Sequence, residues 1–450
     1  MSDDERITLV LSDLHVGGGP ADPGDDHIYH DDQLVSFVKA QAATPEGRAG
    51  RLELFFNGDF LEFAQTNVGA FSLLSDKRWC TALESLSKLD TIIAGHRDIF
   101  EALGEFQKDG NVVTIAAGNH DVDLWWPRVQ GRIREVAGAG VRFEVGKEWV
   151  ERYAGRLQIA HGHMSDVANR FEHWERPIVA GPFGIECLEM CPGTLFMVKF
   201  VNRLEAEYPF ADNLLPVTRL GWVLLNDDKS GLVSVGWMFA RMFATTSFSV
   251  LEAEEQEDLG TRLLTRIQGS RSRVAALDAI LAAQEMNEER AWLAQRRLTP
   301  ERLAALMFAL LGRIELQEWK DLFELPPGSV VLGSDEHDVT LNAIRKAKDS
   351  DGKEDLRRVA RKRARIVKQT SVVVMGHTHQ QDELEWEGKK YYNPGCWTRY
   401  LELRPGRKVT LEDLRDESKY PYALNVVRIE SNSGALAARM QSIDRYPPSS

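Results

Sequence analysis

Four times in its first 163 residues the chain repeats one pattern: a short apolar run stops abruptly at polar residues, and an amphipathic stretch follows. "RITLVLSDLH", "RLELFFNGD", "NVVTIAAGNHD" and "RLQIAHGH" are the four runs. Each is too short for a core helix, and such runs predict buried strands. "DDQLVSFVKAQA" and "DTIIAGHRDIFEALGEFQKDG" lie between them with helical spacing. Strands alternating with helices predict an α/β domain. Every strand delivers its polar residues at its C-terminal end, where α/β sheets place ligands.

From about residue 164 the alternation vanishes. Large apolar residues come first, then Glu, Arg, Ala and Leu at helical spacing, with proline-marked breaks at "LTPERL" and "ELPPGS". The earlier pattern resumes at "SVVVMGHTHQ", followed by "GKKYYNPGCW" and "LNVVRIES". The α/β domain is therefore expected to be interrupted: a first part over 1–165, a mostly α-helical insertion or cap over 166–370, and a second part over 371–450.

Composition narrows the class. The 450 residues are 43% hydrophobic and 27% charged, an ordinary globular balance. A net charge of −13 argues against a general nucleic-acid or anionic-membrane binder and leaves room for a local basic cleft. Four scattered cysteines suit a reducing compartment, and Cys187 and Cys191 read as inert thiols rather than metal ligands. The start "MSDDERITLVLSD" has no basic and apolar leader pattern, so a cytoplasmic location is expected. Leu232 to Leu251 is long enough to span a bilayer, but Arg241 at its centre favours a buried or surface-docked helix, with a peripheral membrane contact open.

Five strand ends carry the chemistry: Asp13 with His15, Asp59 with Glu62, Asn119-His120-Asp121, His161 with His163, and His377 with His379. Together they supply Asp, His and Asn and no thiolate, the set that suits Mn²⁺, Fe or Zn²⁺. Asp59 is suited to bridge two ions at the separation of about 3.5–4 Å found in two-metal hydrolases. Asn119 adds an oxygen ligand without charge. Two carboxylates and a bridging hydroxide would set about −3 against +4 from two divalent ions, leaving a site that attracts phosphate. Water between such ions loses a proton readily and becomes a nucleophile for in-line attack at phosphorus.

The order D-x-H, G-D-x-x-E, G-N-H-D, histidine, G-H-x-H resembles the calcineurin-like metallophosphoesterase superfamily, over roughly 1–165 and 371–450. The resemblance implies two central β-sheets flanked by helices and a dinuclear centre, Mn²⁺ foremost with Fe or Zn²⁺ as alternatives. It implies metal ligands at Asp13, His15, Asp59, Asn119, His161, His377 and His379. It implies His120 as the general acid or transition-state donor, oriented by Glu62 or Asp121. It assigns the metal to His161 rather than His163, which then lines the pocket. His379 is expected to complete the ion held by Asp13 and His15, and His377 to serve the other with Asn119 and His161. The one-residue spacing predicts both imidazoles on one strand face.

"SDLH", "HGH", "GHTH" and "NPGCW" are most similar to the bacterial branch containing UDP-2,3-diacylglucosamine pyrophosphatase. The chain departs from that branch at His120, where its close members carry arginine, and in its longer insertion. Asn169 and Arg170 stand near the fourth motif as candidate phosphate contacts, or as a helix-capping stretch with a surface arginine. The stretch "GPFGIECLEMCPGTLFMVKFVNRL" reads as insertion core, with an apolar substrate wall or a dimer surface as alternatives. The basic run Arg357 to Gln369 reads as an amphipathic helix with Val359, Ile366 and Val367 on its apolar side, and alternatively as a phosphate-backbone or headgroup contact. His27 and His30 read as a solvated acidic stretch, while His96, His173 and His337 have no partner in the pattern.

The expected function is hydrolysis of a phosphate ester or pyrophosphate in a small or lipid-linked substrate. A nuclease of the same superfamily is the alternative enzyme, and a degenerate scaffold that has lost its metals is the alternative outside catalysis.

Overall fold

The computed structural model describes residues 5–21, 30–66, 80–166, 169–180, 184–191, 193–194, 197, 210, 213–215, 271–299, 352–402, 412–432 and 435–446. In chain order its principal elements begin with β1 (Ile7–Leu11), α1 (Asp31–Ala42), β2 (Leu52–Asn57), α2 (Ala82–Gly95), α3 (Arg97–Phe106) and β3 (Val112–Ala116). There follow α4 (Pro127–Ala137), β4 (Arg142–Glu144), β5 (Val150–Arg152), β6 (Leu157–Ile159), β7 (Ile178–Ala180) and β8 (Glu186–Leu188). The later elements are α5 (Arg271–Ala283), α6 (Asn287–Ala294), α7 (Lys353–Ile366), β9 (Val372–Val374), β10 (Asp382–Trp386), β11 (Lys389–Asn393), β12 (Tyr422–Asn432) and β13 (Ala435–Tyr446).

Two main sheets make this a mixed α/β structure. The first has the order β13-β12-β1-β2-β3-β4, and β1 to β4 run parallel. The second has the order β10-β11-β9-β6-β5, with β9 parallel to both β6 and β11. Alternation along the strands decides what each face meets. Val10 and Phe55 join Leu157, Ile159, Val372, Val374 and Val427 in a cluster drawn from both sheets. Their neighbours Leu9, Leu11, Leu54 and Phe56 point the other way, to Phe37, Leu89, Ile92, Phe100 and Ile133 on the helices. The second sheet's other face, through Val373, Met375 and Tyr391, packs on Leu356 and Ala360 of α7. Strands covered on both faces read as largely apolar runs, and in β1, β2, β3 and β6 the polar interruptions are the buried Thr8, Glu53, Thr114 and Gln158.

One long helix expected around Asp90–Gly110 is two. Thr81 and Glu84 form a reciprocal capping box that starts α2. The helix ends where Gly95 lies against the loop after β1, so that a Cβ there would stand 2.9 Å from the Gly18 carbonyl oxygen. His96 turns the chain, its Nδ1 2.8 Å from Asp31 Oδ2.

Two compact units divide the chain: residues 1–198, 350–401 and 417–450 form one, and 199–349 with 402–416 the other. The boundaries expected at 165 and 371 therefore move to 198 and 350. The physical reason is that β7 and β8 form a hairpin whose Leu188 joins the first sheet's helical core, and that α7 covers the second sheet. The stretch from 166, expected to open a mostly helical insertion, thus carries the two short strands β7 and β8 within the first unit. In the second unit, α5 and α6 are tied by Arg290, whose guanidinium donates to Asp278 at 3.0 and 3.1 Å. Residues 232–251 lie outside the described residues. Among the described residues no helix is long and apolar enough to cross a membrane.

All four cysteines are buried, and none forms a disulfide. Burial pushes the Cys191 thiol up to about 11 and the Cys396 thiol up to about 12, and raises Cys80 as well. Ellman's reagent at pH 8 is expected to label none of them in minutes in the native protein and all four in denaturant. Fast native labelling of more than one would contradict this burial.

Candidate metal centre

The C-terminal ends of β1, β2, β3, β6 and β9 bring the five motifs together. The loops leave their strands through left-handed residues: Asp13, His15, Asp59, His377 and His379 all have φ between 49° and 72°. For side chains with a Cβ this costs of order 1 kcal/mol each, and such conformations gather at functional sites. His377 and His379 therefore sit on a coiled loop beyond the strand. The expectation that they share a strand face fails, because the extended backbone has already ended at Val374.

Close backbone approach explains two of the motif glycines. A Cβ at Gly376 would stand 2.6 Å from Asp13 Oδ2, and one at Gly118 would stand 2.7 Å from the Asp59 amide nitrogen. Asn393 donates to the Gly376 carbonyl at 3.0 Å and to Thr378 Oγ1 at 3.1 Å, and the Trp397 amide donates to the Asp13 carbonyl at 3.0 Å. The "NPGCW" segment thus braces the first and last motifs.

Three groups of motif residues result, each with candidate ligand atoms within 4.8 Å of one another: Asp13-His15-His379, Asp59-His161-His377 and His15-Glu62-His120. The first two are the candidate ion sites, and in the third Glu62 takes the Nδ1 atoms of both histidines. In the first, His15 Nε2 lies 3.0 Å from His379 Nε2, which lies 3.5 Å from Asp13 Oδ1. In the second, His161 Nε2 lies 3.1 Å from Asp59 Oδ2 and 3.3 Å from Asn119 Oδ1. Asp59 Oδ2 also lies 3.9 Å from His15 Nε2, so this one oxygen faces both groups. The other, Oδ1, accepts the His120 amide at 2.9 Å.

Acceptors behind the histidines decide which nitrogens face inward. His15 Nδ1 is 2.6 Å from Glu62 Oε2, and His161 Nδ1 is 2.8 Å from the Asn57 carbonyl. Each acceptor takes the Nδ1 hydrogen and leaves Nε2 directed at the carboxylates, so that Nε2 is the nitrogen a cation would displace a proton from. Charge agrees. Burial alone would push His161 down, but Asp59 and Asp13 lift it to about 10. Burial would raise Asp59, yet His161, His120 and His15 hold it well below the usual carboxylate range. Buried oxygens, inward-facing ring nitrogens and a strongly negative potential fit hard-to-borderline divalent cations.

His120 is oriented by Glu62, not Asp121. Its Nδ1 is 2.7 Å from Glu62 Oε2, and Glu62 is shared with His15. Asp121 instead braces the backbone. Its carboxylate accepts the amides of Gly118 at 2.6 Å and Phe60 at 2.9 Å, stapling the second motif loop to the third. The Asp121 carboxylate is thus engaged with backbone amides beneath the loop, while Glu62 holds the His120 ring. Burial, reinforced by Asp59, raises it to about 7.

His163 is buried beside the second group, its ring 4.4 Å from that of Trp174, and among the described residues neither ring nitrogen has a hydrogen-bond partner. Burial, then the neighbouring His161 and His377, hold it well below the usual histidine value, so it is neutral. It lines a small cavity with Ala117, Lys147, Met164 and Met375. Asn169 reaches the site, its Oδ1 accepting from Asn119 Nδ2 at 3.4 Å. Arg170 is exposed and donates through Nε to the Met164 carbonyl at 2.9 Å. Asp166 lies outside the five sequence motifs, although it follows His163 by three residues, and its Oδ2 lies 3.1 Å from His377 Nε2.

The remaining candidates settle as follows. His30 is buried against Tyr422, ring centroids 4.1 Å apart, not solvated. His96 pairs with Asp31, and exposed His173 lies 3.4 Å from Glu189. His27 and His337 fall outside the described residues. The basic run is a helix, but its buried side is Leu356, Ala360 and Ala364, while Ile366 is exposed. Three of its cations meet acids: Arg357 with Asp382, Arg358 with Asp355 and Arg363 with Glu151. No protein-family model matches the chain, and no curated protein matches it either.

Proposed function

We propose that this chain is a calcineurin-like metallophosphoesterase that hydrolyses a phosphate ester or pyrophosphate at a dinuclear metal centre. The observation that carries the reading is the junction of two ligand groups at Asp59 Oδ2, 3.1 Å from His161 Nε2 and 3.9 Å from His15 Nε2. Asp13, His15, His379 and Asp59 would hold one ion, and Asp59, Asn119, His161 and His377 the other. Bound divalent ions would supply Lewis acidity toward phosphoryl oxygens and acidify a water.

The chain's own residues do the rest. Of the three buried carboxylates Asp13, Asp59 and Glu62, the first two would hold the ions, and the third stands behind the histidines. Glu62, held ionised by His120 and His15 against the penalty of its burial, accepts the Nδ1–H of His120. Nε2 is then the nitrogen through which His120 exchanges a proton. A proton on Nε2 passes to the leaving oxygen as the P–O bond breaks, and the neutral ring regains one from water. Neutral, apolar-walled His163 offers a hydrogen bond without adding charge near the substrate.

Mn²⁺-dependent hydrolysis of bis-p-nitrophenyl phosphate by the purified chain, abolished by chelator and restored by Mn²⁺, is the direct test. His120→Asn should lower kcat by about 10²–10⁴-fold while leaving the bound-metal content unchanged. A chain that takes up no divalent metal would overturn the reading and favour a scaffold. Labelled DNA and RNA supplied in parallel distinguish nuclease action from small-substrate hydrolysis.

A further inference from the structure

Two of the candidate ligands need help to present the correct atom. An asparagine side chain can offer an ion its oxygen or turn its amino group inward, and a neutral histidine offers one lone pair from either ring nitrogen. Glu62 and the Asn57 carbonyl make that choice for His15 and His161 by taking Nδ1. Asn119 and His377 are served by the turn that follows His163.

Asp166 closes a short 3-10 turn, His163–Ser165, and its side chain is 41% exposed. Its Oδ2 lies 3.1 Å from His377 Nε2 and accepts Asn169 Nδ2 at 2.7 Å. An ionised carboxylate only accepts, so Nε2 carries the hydrogen and the ring's lone pair is left on Nδ1. Asn169 in turn accepts the amino group of Asn119, so the atom of Asn119 left for an ion is Oδ1, which stands 3.3 Å from His161 Nε2. Among the described residues Asp166 is not part of the Asp59-His161-His377 group, and it approaches that group at His377 Nε2, 3.1 Å away.

We infer that Asp166 and Asn169 are positioning residues that set the metal-facing atoms of His377 and Asn119, so that His377 coordinates through Nδ1 while His15 and His161 coordinate through Nε2. The inference rests on the dinuclear-metal reading above. It also gives Asn169 a role distinct from phosphate contact, the selection of a neighbour's ligand atom. A partner that orients a ligand acts on metal affinity, typically by about 10–100-fold.

The test uses the full chain stripped with EDTA and titrated with Mn²⁺, with free Mn²⁺ followed by electron paramagnetic resonance. Wild type should bind two ions. Asp166→Ala and Asn169→Ala should each weaken one of the two by about 10–100-fold and leave the other unchanged. Asp166→Asn keeps the shape and an acceptor oxygen and should recover part of the loss. It also serves as the variant to measure if the alanine form melts early without metal. In the Zn²⁺-loaded protein, ¹⁵N NMR of the histidine rings should report His377 bound through Nδ1. Unchanged Mn²⁺ affinities in Asp166→Ala, or His377 bound through Nε2, would overturn this inference and leave the dinuclear reading standing. Failure of wild type to bind Mn²⁺ at all would overturn both.

Discussion

Asp59→Asn is expected to lower Mn²⁺-dependent phosphodiester hydrolysis by at least about 10³-fold, the rate equivalent of roughly 4 kcal/mol of lost charge stabilisation. Both ligand groups converge on one atom of this residue: Oδ2 lies 3.1 Å from His161 Nε2 and 3.9 Å from His15 Nε2. The amide replacement is nearly isosteric, and its carbonyl oxygen can still accept the His120 backbone N–H that Oδ1 accepts now. The loop should therefore stay folded while the bridging charge is lost. Steady-state kinetics at saturating Mn²⁺, metal content by elemental analysis and a metal-free thermal melt separate these effects. Wild-type turnover in a properly folded variant would mean that Asp59 does not join two ions.

The second large effect concerns the scaffold. Arg152→Met is expected to cost about 3–5 kcal/mol of stability, read from denaturant melts. Thr8, Glu53 and Thr114 lie on the face that the first sheet turns toward the second, in register with Val10, Phe55 and Ala116. Arg152, on the second sheet, donates from NH2 to Glu53 Oε1 at 3.0 Å, and Thr114 Oγ1 donates to the same oxygen at 2.7 Å. Glu53 is 1% exposed and Arg152 8%. Removing the guanidinium strands a carboxylate between two sheets. The double variant Glu53→Leu with Arg152→Met removes both charges and should recover most of the loss, because well-packed apolar replacements of a buried pair are close to neutral. Equal losses in the single and double variants would show that the two charges are not coupled.

What could be read in advance had a physical basis. Runs such as "LVLSD" and "SVVVMGH" announce strands because a strand buried on both faces offers few polar positions until it ends. Polar residues therefore gather immediately beyond, and Asp13, Asp59, Asn119, His161 and His377 are among them. Their residue types carried the chemistry, and the ordered spacing carried the resemblance. The roles that went astray depended on where a side chain ends rather than where it begins. Asp121 was a plausible partner for His120 by sequence proximity, yet it points under the loop to the amides of Gly118 and Phe60. Ile366 fits an apolar stripe by spacing, yet α7 rotates Leu356, Ala360 and Ala364 onto the sheet instead.

The alternation of the inner strands with helices on either side of the insertion, and the residue types gathered at those strand ends, were determined by the sequence alone, because both are local properties of composition and period. The four edge strands β4, β5, β10 and β13 were not read from it. The tertiary structure decided the rest: the left-handed loops at Asp13, His15, Asp59, His377 and His379, the single oxygen of Asp59 that faces both groups, and the carboxylates behind the histidines. Those features join residues up to 364 positions apart, as in the contact between His15 and His379. A ligand's direction is set by the acceptor at its back, and that acceptor is a neighbour only once the chain has folded.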